Sequence, residues 1–319
     1  MNFTGLGNLG LSVVIVTLNG KRRLDNTLEY LANQKDVNFL WEVLVIDNNS
    51  TDDTVDFVER KWFGLSTNVE LRILKELQPG TMYARQKGIF ESNFRYLLFC
   101  DDDNWLNEYY LKHAFNSIIS DESIAGVGGR GIAKYETENL PNWLDGVSRY
   151  LGCGPQGKIS GDITNGKGCL YTAGAVFDRQ WLYKLYTEGF RSKLKGRDGD
   201  SLVAGEDTEL TYALVRKGAR LSYSEEMWFY HYIPKNRTEW NYFLRLFRGM
   251  GYSDYVLQIN YKNKSNKTKD LIITSLLLIK YYIISIFTTE SEGNSSLLSL
   301  SMLKGRLKAI LTRWYNGNK

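Results

Sequence analysis

Short apolar runs alternate with longer segments of helical periodicity from Leu11 onward. The runs are rich in β-branched residues and are bounded by polar residues, a pattern that predicts strands. The four strands predicted in this way are Ser12–Thr17, Glu42–Ile46, Val69–Leu74 and Tyr96–Cys100. The helices predicted between and after them are Lys21–Asn33, Asp52–Lys61, Met82–Ser92 and Asn107–Ile119. Because runs such as VVIV and YLLFC are apolar on both faces, we expect an α/β fold whose mostly parallel central sheet is flanked by helices.

The next part of the chain has weaker periodicity and many glycines. Seven glycines between Gly146 and Gly168 predict a long loop, a kind of segment that is often functional. Beyond the loop, the pattern predicts a strand at Tyr171–Phe177 and helices at Gln180–Tyr186, Gly205–Lys217 and Thr238–Gly249. Gly174 interrupts the predicted strand, and a glycine at such a position allows a ligand to approach the backbone closely.

Charge is distributed unevenly along the chain. The net charge is +4, from 40 Lys and Arg against 36 Asp and Glu. Residues 261–319 hold ten Lys and Arg against three Asp and Glu, so this tail carries +7 and residues 1–260 carry −3. A folded part with net negative charge argues against nucleic acid as a partner.

The basic tail contains two apolar segments. Residues 251–270 are predicted to form a basic linker, which is most polar over Asn260–Asp270. Leu271–Phe287 is apolar except for Lys280 and is marginal in length for a membrane-spanning helix. Leu297–Tyr315 has the pattern of a basic amphipathic helix, which suits an anionic membrane surface. The alternative is that the two helices of 271–319 pack on the rest of the protein.

Cysteine and histidine are too rare for a disulfide scaffold or a Cys/His zinc cluster, since the chain has three cysteines and two histidines. The first residues lack the basic start of a signal peptide, and Val13–Val16 is too short an apolar run for its core. We therefore expect a cytoplasmic protein that associates, as a peripheral or monotopic protein, with the inner face of the cell membrane.

Polar and acidic residues follow the predicted strands directly. Thr17 and Asn19 follow the first strand, Asp47 follows the second, and Asp101–Asp103 follow the fourth. In open α/β sheets, ligands bind beyond the carboxyl ends of the strands. Three adjacent carboxylates repel one another, and a divalent cation would relieve the repulsion. Capping of the following helices is the alternative for single residues at such positions.

Six motifs in order resemble the family 2 glycosyltransferases of GT-A fold. They are LSVVIVTLNGKRRLDNTLEYLANQ, WEVLVIDNNSTDDT, PGTMYARQKGI, YLLFCDDDNWL, TAGAVFDRQWL and GEDTEL. The resemblance implies a catalytic domain over 1–250, with a nucleotide-binding half over about 11–120 and an acceptor half over about 121–250. The chain departs from the family pattern at Val16, where the family often has Pro, and at Asn48, where it often has a second Asp.

The resemblance also implies a nucleotide-sugar donor, with a UDP-sugar favoured, and a Mn²⁺ or Mg²⁺ ion that neutralises the pyrophosphate leaving group. Thr17, Asn19 and Asp47 would hold the nucleotide, Asp47 by accepting a hydrogen bond from a pyrimidine N3–H. Arg85 would reach the base or the phosphates, and Gly174 would line the donor site. The alternative for Arg85 is a salt bridge on a helix surface.

The acidic run would supply the metal site. By resemblance, Asp103 would bind the metal directly, while Asp101 or Asp102 would contact the ribose or the water molecules on the metal. Because the three aspartates are consecutive, this register is open by one residue. His231 would add a ligand near the metal or the phosphates, or it would be a structural histidine. His113, on the helix after the aspartates, is interpreted as structural.

An inverting transfer requires a base that removes a proton from the acceptor hydroxyl. The resemblance assigns this role to Asp207, with Glu206 orienting the substrate. The alternative is that both residues, with Glu209, stabilise a helix N-terminus.

The sequence thus favours a metal-dependent inverting glycosyltransferase that acts on a glycan or lipid-linked acceptor in cell-surface polysaccharide synthesis. One alternative is a catalytically inactive carbohydrate-binding module of the same fold. Another is a sugar-phosphate nucleotidyltransferase, against which the single glycine in TLNGKRRLDN argues, because those enzymes have a glycine-rich loop there.

Overall fold

The structure is a computed structural model that describes residues 8–194, 196, 202–262, 266–287 and 293–316, with only the backbone described for 287 and 314–316. The chain divides into two compact units. The first unit comprises Met1–Lys134, Arg149–Arg191 and Leu210–Ile233. The second unit comprises Tyr135–Ser148, Ser192–Glu209 and Pro234–Lys319.

The first unit is built on one sheet. Its strands are β1 (Asn8–Thr17), β2 (Trp41–Asp47), β3 (Glu70–Lys75), β4 (Phe94–Asp101), β5 (Asn104–Leu106), β6 (Ile124–Tyr135), β7 (Gly161–Asp162), β8 (Val176–Asp178) and β9 (Arg220–Ile233). The strand order is β3-β2-β1-β4-β8-β6-β9-β5, and β7 pairs with β9. The pairs among β1 to β4 are parallel, whereas β8 is antiparallel to β4 and β6. The predicted α/β fold with a mostly parallel central sheet is confirmed, and all four predicted strands are present.

Helices cover this sheet because its strands are apolar on both faces. The helices of the described residues are α1 (Lys21–Ala32), α2 (Thr54–Gly64), α3 (Thr81–Glu91), α4 (Tyr110–Ile119), α5 (Arg179–Thr187), α6 (Glu206–Arg216), α7 (Trp240–Tyr261), α8 (Lys267–Phe287) and α9 (Ser295–Asn316). On β1, the consecutive residues Val13, Val14 and Ile15 are all fully buried. The buried face of α1, with Leu24, Leu28 and Leu31, follows the spacing of an amphipathic helix and joins the same core.

Strand register sets the polar residues of the sheet edge side by side. Thr17 at the end of β1 pairs with Asp47 at the end of β2, and Val16 pairs with Asp101 at the end of β4. Since parallel strands end at the same edge of a sheet, the three loops that follow meet there.

The glycine-rich segment after β6 is mostly irregular, as predicted. Within Gly146–Gly168 it forms only a 3₁₀ turn at Ser148–Leu151 and the two-residue strand β7. An isolated bridge joins Gly154 to Gly131 of β6.

The second unit corrects the prediction of a linker over 251–270. Helix α7 continues to Tyr261 and α8 begins at Lys267, so most of that segment is helical. One side of α7 contributes Tyr252, Tyr255 and Val256 to a small core with Ala309 and Ile310 of α9.

Two glycines set the close approach of α7 and α9. A Cβ on Gly251 would lie 1.9 Å from the Met302 carbonyl oxygen, and one on Gly305 would lie 1.8 Å from the Arg248 carbonyl oxygen. In the described part of the chain, no helix combines the length and the apolar character needed to cross a membrane.

Candidate active site

Asp102, the middle residue of the acidic run, is bound by two side chains of the first unit. Arg23 of α1 donates from Nε to Oδ1 and from Nη2 to Oδ2, both at 2.8 Å. The Thr17 hydroxyl donates to Oδ2 at 2.7 Å. Burial raises the pKa of Asp102 and the Arg23 guanidinium opposes that rise. The hydrogen bond to Asp102 in turn raises the pKa of Arg23, so the guanidinium stays charged.

A glycine is required beside this ion pair. A Cβ at Gly20 would lie 1.9 Å from Thr17 Oγ1 and 2.6 Å from Asp102 Oδ2. The loop after β1 therefore carries its glycine because the Asp102 carboxylate lies against the backbone there.

Asn19 joins the loop after β1 to the loop after β2. Its side-chain Oδ1 accepts a hydrogen bond from the Thr51 backbone amide at 2.8 Å, and its backbone amide donates to Ser50 Oγ at 2.9 Å. Asn19 adopts a left-handed backbone with φ of 49°, which Asn tolerates better than most residues. The predicted contacts of Thr17 and Asn19 with the nucleotide stay predictions, since in this structure their side-chain oxygens bond within the protein.

Asp47 and Asn48 have different partners although they are adjacent. Asp47 is buried and accepts from the Ser50 amide at 3.2 Å. The Asn48 amide donates to the carbonyl oxygens of Glu76 and Gln78, and its Oδ1 accepts from the Gly80 amide at 2.9 Å. A second Asp at this position could not donate these two bonds, which explains the departure from the family pattern.

Arg85 lies at the same edge and is not a surface residue. Its side chain is 6% exposed, and Nη2 lies 3.3 Å from Asp101 Oδ1. The guanidinium also lies over the Phe99 ring, 5.8 Å from its centroid. The alternative of a salt bridge on a helix surface is therefore wrong, because Arg85 is buried at the carboxyl end of β4.

Asp103 and His231 form a buried pair. Asp103 Oδ1 lies 3.4 Å from His231 Nε2, and their side chains are 6% and 9% exposed. The pairing of β5 with β9 places Asn104 opposite His231, and the Tyr232 amide donates to the Asp103 carbonyl oxygen at 2.9 Å. Burial lowers the pKa of His231, but the Asp103 carboxylate, with a smaller contribution from Cys153, raises it to about 9.

These residues suit a hard divalent ion in part. No group of three or more His, Cys, Asp or Glu side chains is arranged to hold a metal in the ranges that the structure describes. Mg²⁺-type ions, however, commonly take only one or two carboxylates and complete their shell with phosphate and water. Asp103 and His231 supply such a minimal set, whereas Asp101 pairs with Arg85. An ion would take the place of the His231 proton, because metal ligands bind deprotonated.

Asn104 lies opposite His231 in the pairing of β5 with β9, and it is not among the site residues predicted from the sequence. Its side chain is fully buried, and neither Oδ1 nor Nδ2 has a hydrogen-bond partner among the described residues. Buried amides are normally satisfied, so this amide is a further polar group that a bound ion or ligand could engage. The only signal in the sequence is its place directly after the aspartates. Arg23, also missed, has no local signal, since it lies 79 positions from Asp102.

Gly174 is explained by packing. Its φ is 70°, and a Cβ would lie 2.5 Å from the Tyr110 hydroxyl and 2.7 Å from Phe229 Cε1. The Gly174 carbonyl accepts a hydrogen bond from that hydroxyl at 2.5 Å. Its predicted contact with the donor stays a prediction.

The interpretation of His113 as a structural residue stays a prediction. Its Nδ1 lies 3.2 Å from Glu226 Oε2, so it joins α4 to β9.

The acidic residues Glu206, Asp207 and Glu209 lie in the second unit, in the first turn of α6. Glu209 is fully buried, and its Oε2 accepts from the Ser192 hydroxyl and from the Lys193 and Leu194 amides at 2.6 to 3.0 Å. Its Oε1 accepts from the Tyr261 hydroxyl at 3.3 Å. Glu209 is therefore a structural carboxylate.

Asp207 is less buried than the other two acidic residues of this turn, Glu206 and Glu209. Glu206 is buried, whereas Asp207 has intermediate exposure and accepts from the Thr208 amide at 2.7 Å. The hydrogen bonds of Glu209 occupy both of its oxygens, whereas Asp207 is partly exposed, so Asp207 is better placed than Glu209 to contact a ligand. The assignment of Asp207 as the base stays a prediction.

Comparison with known proteins agrees with the motifs and the sheet. The family model for glycosyl transferase family 2 matches residues 12–185, and the chain belongs to this family. The chain therefore has the GT-A fold of this family.

The curated relatives are distant and longer. A poly(ribitol-phosphate) β-N-acetylglucosaminyltransferase, TarS of Staphylococcus aureus, is 29% identical over 127 residues, covering 38% of this chain and 22% of the relative. A chondroitin synthase of Pasteurella multocida is 23% identical over 261 residues, covering 72% of this chain and 25% of the relative. The chain thus spans about a quarter of the length of these relatives.

Solved structures share the fold over nearly the whole chain. The mannosyltransferase PcManGT of Pyrobaculum calidifontis, in complex with GDP-Man and Mn²⁺, has a TM-score of 0.59 at 14% identity, covering 97% of this chain and 88% of that one. TarS 1–349 of S. aureus in complex with UDP-GlcNAc has a TM-score of 0.52 at 16% identity, covering 97% and 92%. At these identities the likeness concerns the fold alone.

Proposed function

We propose that this protein transfers a sugar from a nucleotide-sugar, with a UDP-sugar favoured, to a glycan or lipid-linked acceptor in cell-surface polysaccharide synthesis. The observation that carries the proposal is the polar edge of the sheet in the first unit, where Asp47 ends β2, Asp101 ends β4 beside Arg85, and Asp103 pairs with His231. The named substrates of the relatives, N-acetylglucosamine among them, support a nucleotide-sugar donor.

The residues of this edge have separate proposed roles. Asp47 accepts a hydrogen bond from the base, and the Arg85 guanidinium stabilises charge on the nucleotide side. Asp103 and His231 hold a Mn²⁺ or Mg²⁺ ion, and Asp101 or Asp102 contacts the ribose or water on the ion. When bound, such an ion supplies Lewis-acid neutralisation of the departing diphosphate. The bidentate bond from Arg23 leaves Asp102 less available than Asp101 for the ribose contact.

Asp207 is the proposed base of an inverting transfer, with Glu206 orienting the acceptor. The support is the family motif and the contrast with Glu209, whose oxygens are occupied by hydrogen bonds within the second unit. A base must be in contact with the acceptor hydroxyl, so a carboxylate that is not fully buried is the better candidate of the two.

We further propose that the transfer takes place at the inner face of the cell membrane, to which residues 271–319 attach the protein. The support is the charge of +7 over residues 261–319. Basic segments are attracted to anionic lipid.

The decisive experiment is a hydrolysis screen of UDP-, GDP- and dTDP-sugars with Mn²⁺ or Mg²⁺, using the wild type, Asp103→Asn and the exposed control Glu59→Gln. We expect one nucleotide class to be hydrolysed with metal, with turnover about a hundredfold lower in Asp103→Asn. Glu59→Gln should match the wild type. Unchanged turnover in Asp103→Asn would refute the proposed metal site, and no hydrolysis of any donor would favour an inactive binding module.

A further inference from the structure

Helix α8 exposes a continuous apolar face. Its members, each 48% to 62% exposed, are Ile272, Leu276, Ile279, Ile283 and Ile286. Soluble proteins rarely leave five large aliphatic side chains together in water, so this surface calls for a partner.

The spacing of these residues places them on one stripe. They follow one another at intervals of four, three, four and three residues, which at about 100° per residue confines them to an arc of about 80°. The opposite side of α8 is covered within the second unit, since Thr274 is 1% exposed and Leu271 packs against the small core of α7 and α9. Asp270 of α8 also pairs with Arg306 of α9 at 3.9 Å. Only one side of α8 is therefore available to a partner.

Helix α9 differs from α8 in this respect. Its apolar residues Leu298, Leu300 and Ile310 are 5%, 8% and 0% exposed, so they are already used in packing. Arg306 is used too, because it lies 3.5 Å from Asp254 of α7 as well as near Asp270. The amphipathic pattern of α9, which suggested a membrane helix, is explained by its contacts with α7 and α8.

The charges around the apolar face of α8 indicate its partner. Lys269 and Lys280 are exposed and lie about 60° and 80° from the centre of the stripe, while the exposed Tyr282 lies about 80° away on the other side. Lysines bordering an apolar stripe can insert their methylene chains among lipid tails and keep the ammonium group at the headgroups. Tyrosine favours the same interfacial depth. The combination is complementary to an anionic lipid surface.

We infer that α8 lies along the surface of an anionic membrane with its apolar face among the acyl chains, and that α8 rather than α9 is the membrane-contacting helix. This inference refines the proposed membrane attachment and rests on it, but it does not depend on the proposed chemistry. A coiled coil with a second copy is the less favoured partner, since the stripe covers only about two heptads.

The test is flotation of the full chain with vesicles of phosphatidylcholine and phosphatidylglycerol, compared with phosphatidylcholine alone. The double variant Ile279→Glu/Ile283→Glu should lower partitioning into the mixed vesicles by about tenfold or more. Lys280→Glu should weaken binding to the mixed vesicles and leave binding to neutral vesicles unchanged. The matched controls are Leu311→Glu on α9, which is 51% exposed, and Phe63→Glu on α2, which is 89% exposed, and both should bind like the wild type. Circular dichroism would confirm that each variant is folded.

Wild-type binding by Ile279→Glu/Ile283→Glu, or an equal loss in Leu311→Glu, would overturn the inference. So would conversion of a wild-type dimer to monomers by the double variant with vesicle binding retained, because a second copy would then cover the face. If the wild type itself fails to float, both the inference and the membrane attachment fail. Donor hydrolysis without vesicles, measured on the same samples, shows whether the proposed transfer survives in that case.

Discussion

Arg23 and Asp102 form a bidentate ion pair that ties α1 to the residues after β4, with both hydrogen bonds at 2.8 Å. The pair occupies both oxygens of the middle carboxylate of the acidic run. The two flanking carboxylates have other partners, since Asp101 contacts Arg85 and Asp103 contacts His231. The three consecutive aspartates thus have three different partners. Arg23, Arg85 and His231 each offset part of the repulsion between the carboxylates.

Removal of Arg23 should destabilise the first unit. Arg23→Ala leaves the buried Asp102 carboxylate with the Thr17 hydroxyl, and we expect a loss of about 1–3 kcal/mol in the free energy of unfolding. Urea unfolding followed by tryptophan fluorescence measures it. In a double-mutant cycle, Asp102→Asn should recover part of the loss, because the uncompensated charge is gone. Strict additivity of the two substitutions would show that the ion pair contributes nothing.

Chelation should remove activity without unfolding the protein. The Asp103–His231 pair is a minimal ligand set, so the fold does not depend on an ion as it does in zinc fingers. We expect EDTA to abolish donor hydrolysis, Mn²⁺ to restore it, and the melting temperature to stay unchanged. His231→Gln should raise the Mn²⁺ concentration needed for half-maximal activity, measured by titration. Full activity in EDTA would contradict the metal role.

Asp207→Asn should separate binding from chemistry. If Asp207 removes the acceptor proton, kcat should fall by about 10²–10⁴ while the Kd of the donor stays the same. Glu209→Gln, by contrast, should act on stability, because its oxygens hold the 192–194 segment and Tyr261. Steady-state kinetics with isothermal titration of the donor distinguishes the two effects. A normal kcat in Asp207→Asn would assign Asp207 to the helix N-terminus.

Asn48→Asp tests the explanation of the family departure. The carboxylate would face the Glu76 and Gln78 carbonyl oxygens that now accept hydrogen bonds from Asn48. We expect a loss of about 1–3 kcal/mol in the free energy of unfolding at neutral pH. Asp56→Asn on the exposed side of α2 is a control with the opposite charge change and should have little effect. A variant as stable as the wild type would mean that the loop after β3 rearranges freely.

The crossing of α7 and α9 predicts a strong effect of single methyl groups. Gly251→Ala and Gly305→Ala each place a Cβ within 2 Å of a backbone oxygen of the facing helix, so we expect each to destabilise the second unit by about 1–3 kcal/mol or more. Gly64→Ala, with no atom within 4 Å of the added Cβ, is the matched control and should be neutral or slightly stabilising. Thermal unfolding monitored by circular dichroism compares them.

The sequence predicted the parts of the fold that depend on local pattern. Apolar runs located β1 to β4, and the polar residues after them located the sheet edge, because parallel strands end together. The ion pairs of that edge were beyond prediction, since nothing local to Arg23 marks Asp102 as its partner. Arg85 illustrates the same limit, because the sequence pattern around a single helical arginine does not distinguish a buried side chain from a solvated one.

The tail shows where composition misleads. Residues 251–270 are rich in charged and amide side chains, so their average composition is that of a linker. That average conceals Tyr252, Tyr255 and Val256, which pack against α9. Conversely, α9 has the composition of a membrane-surface helix, yet its residues Leu298, Leu300 and Ile310 are buried within the protein. Pattern reveals that a helix has an apolar face, but only packing reveals what covers it.

The packing of α9 on α7 also determines where this protein can be shortened without loss of folding. A truncation at residue 260 would strip α7 of the helix that covers Tyr255, a side chain that is fully buried in the intact chain. The shortened protein would expose apolar surface that is buried in the intact chain, and aggregation through that surface would resemble membrane partitioning in a flotation assay. Point substitutions on α8 avoid this artefact, and an expression boundary meant to yield well-behaved protein should retain α9.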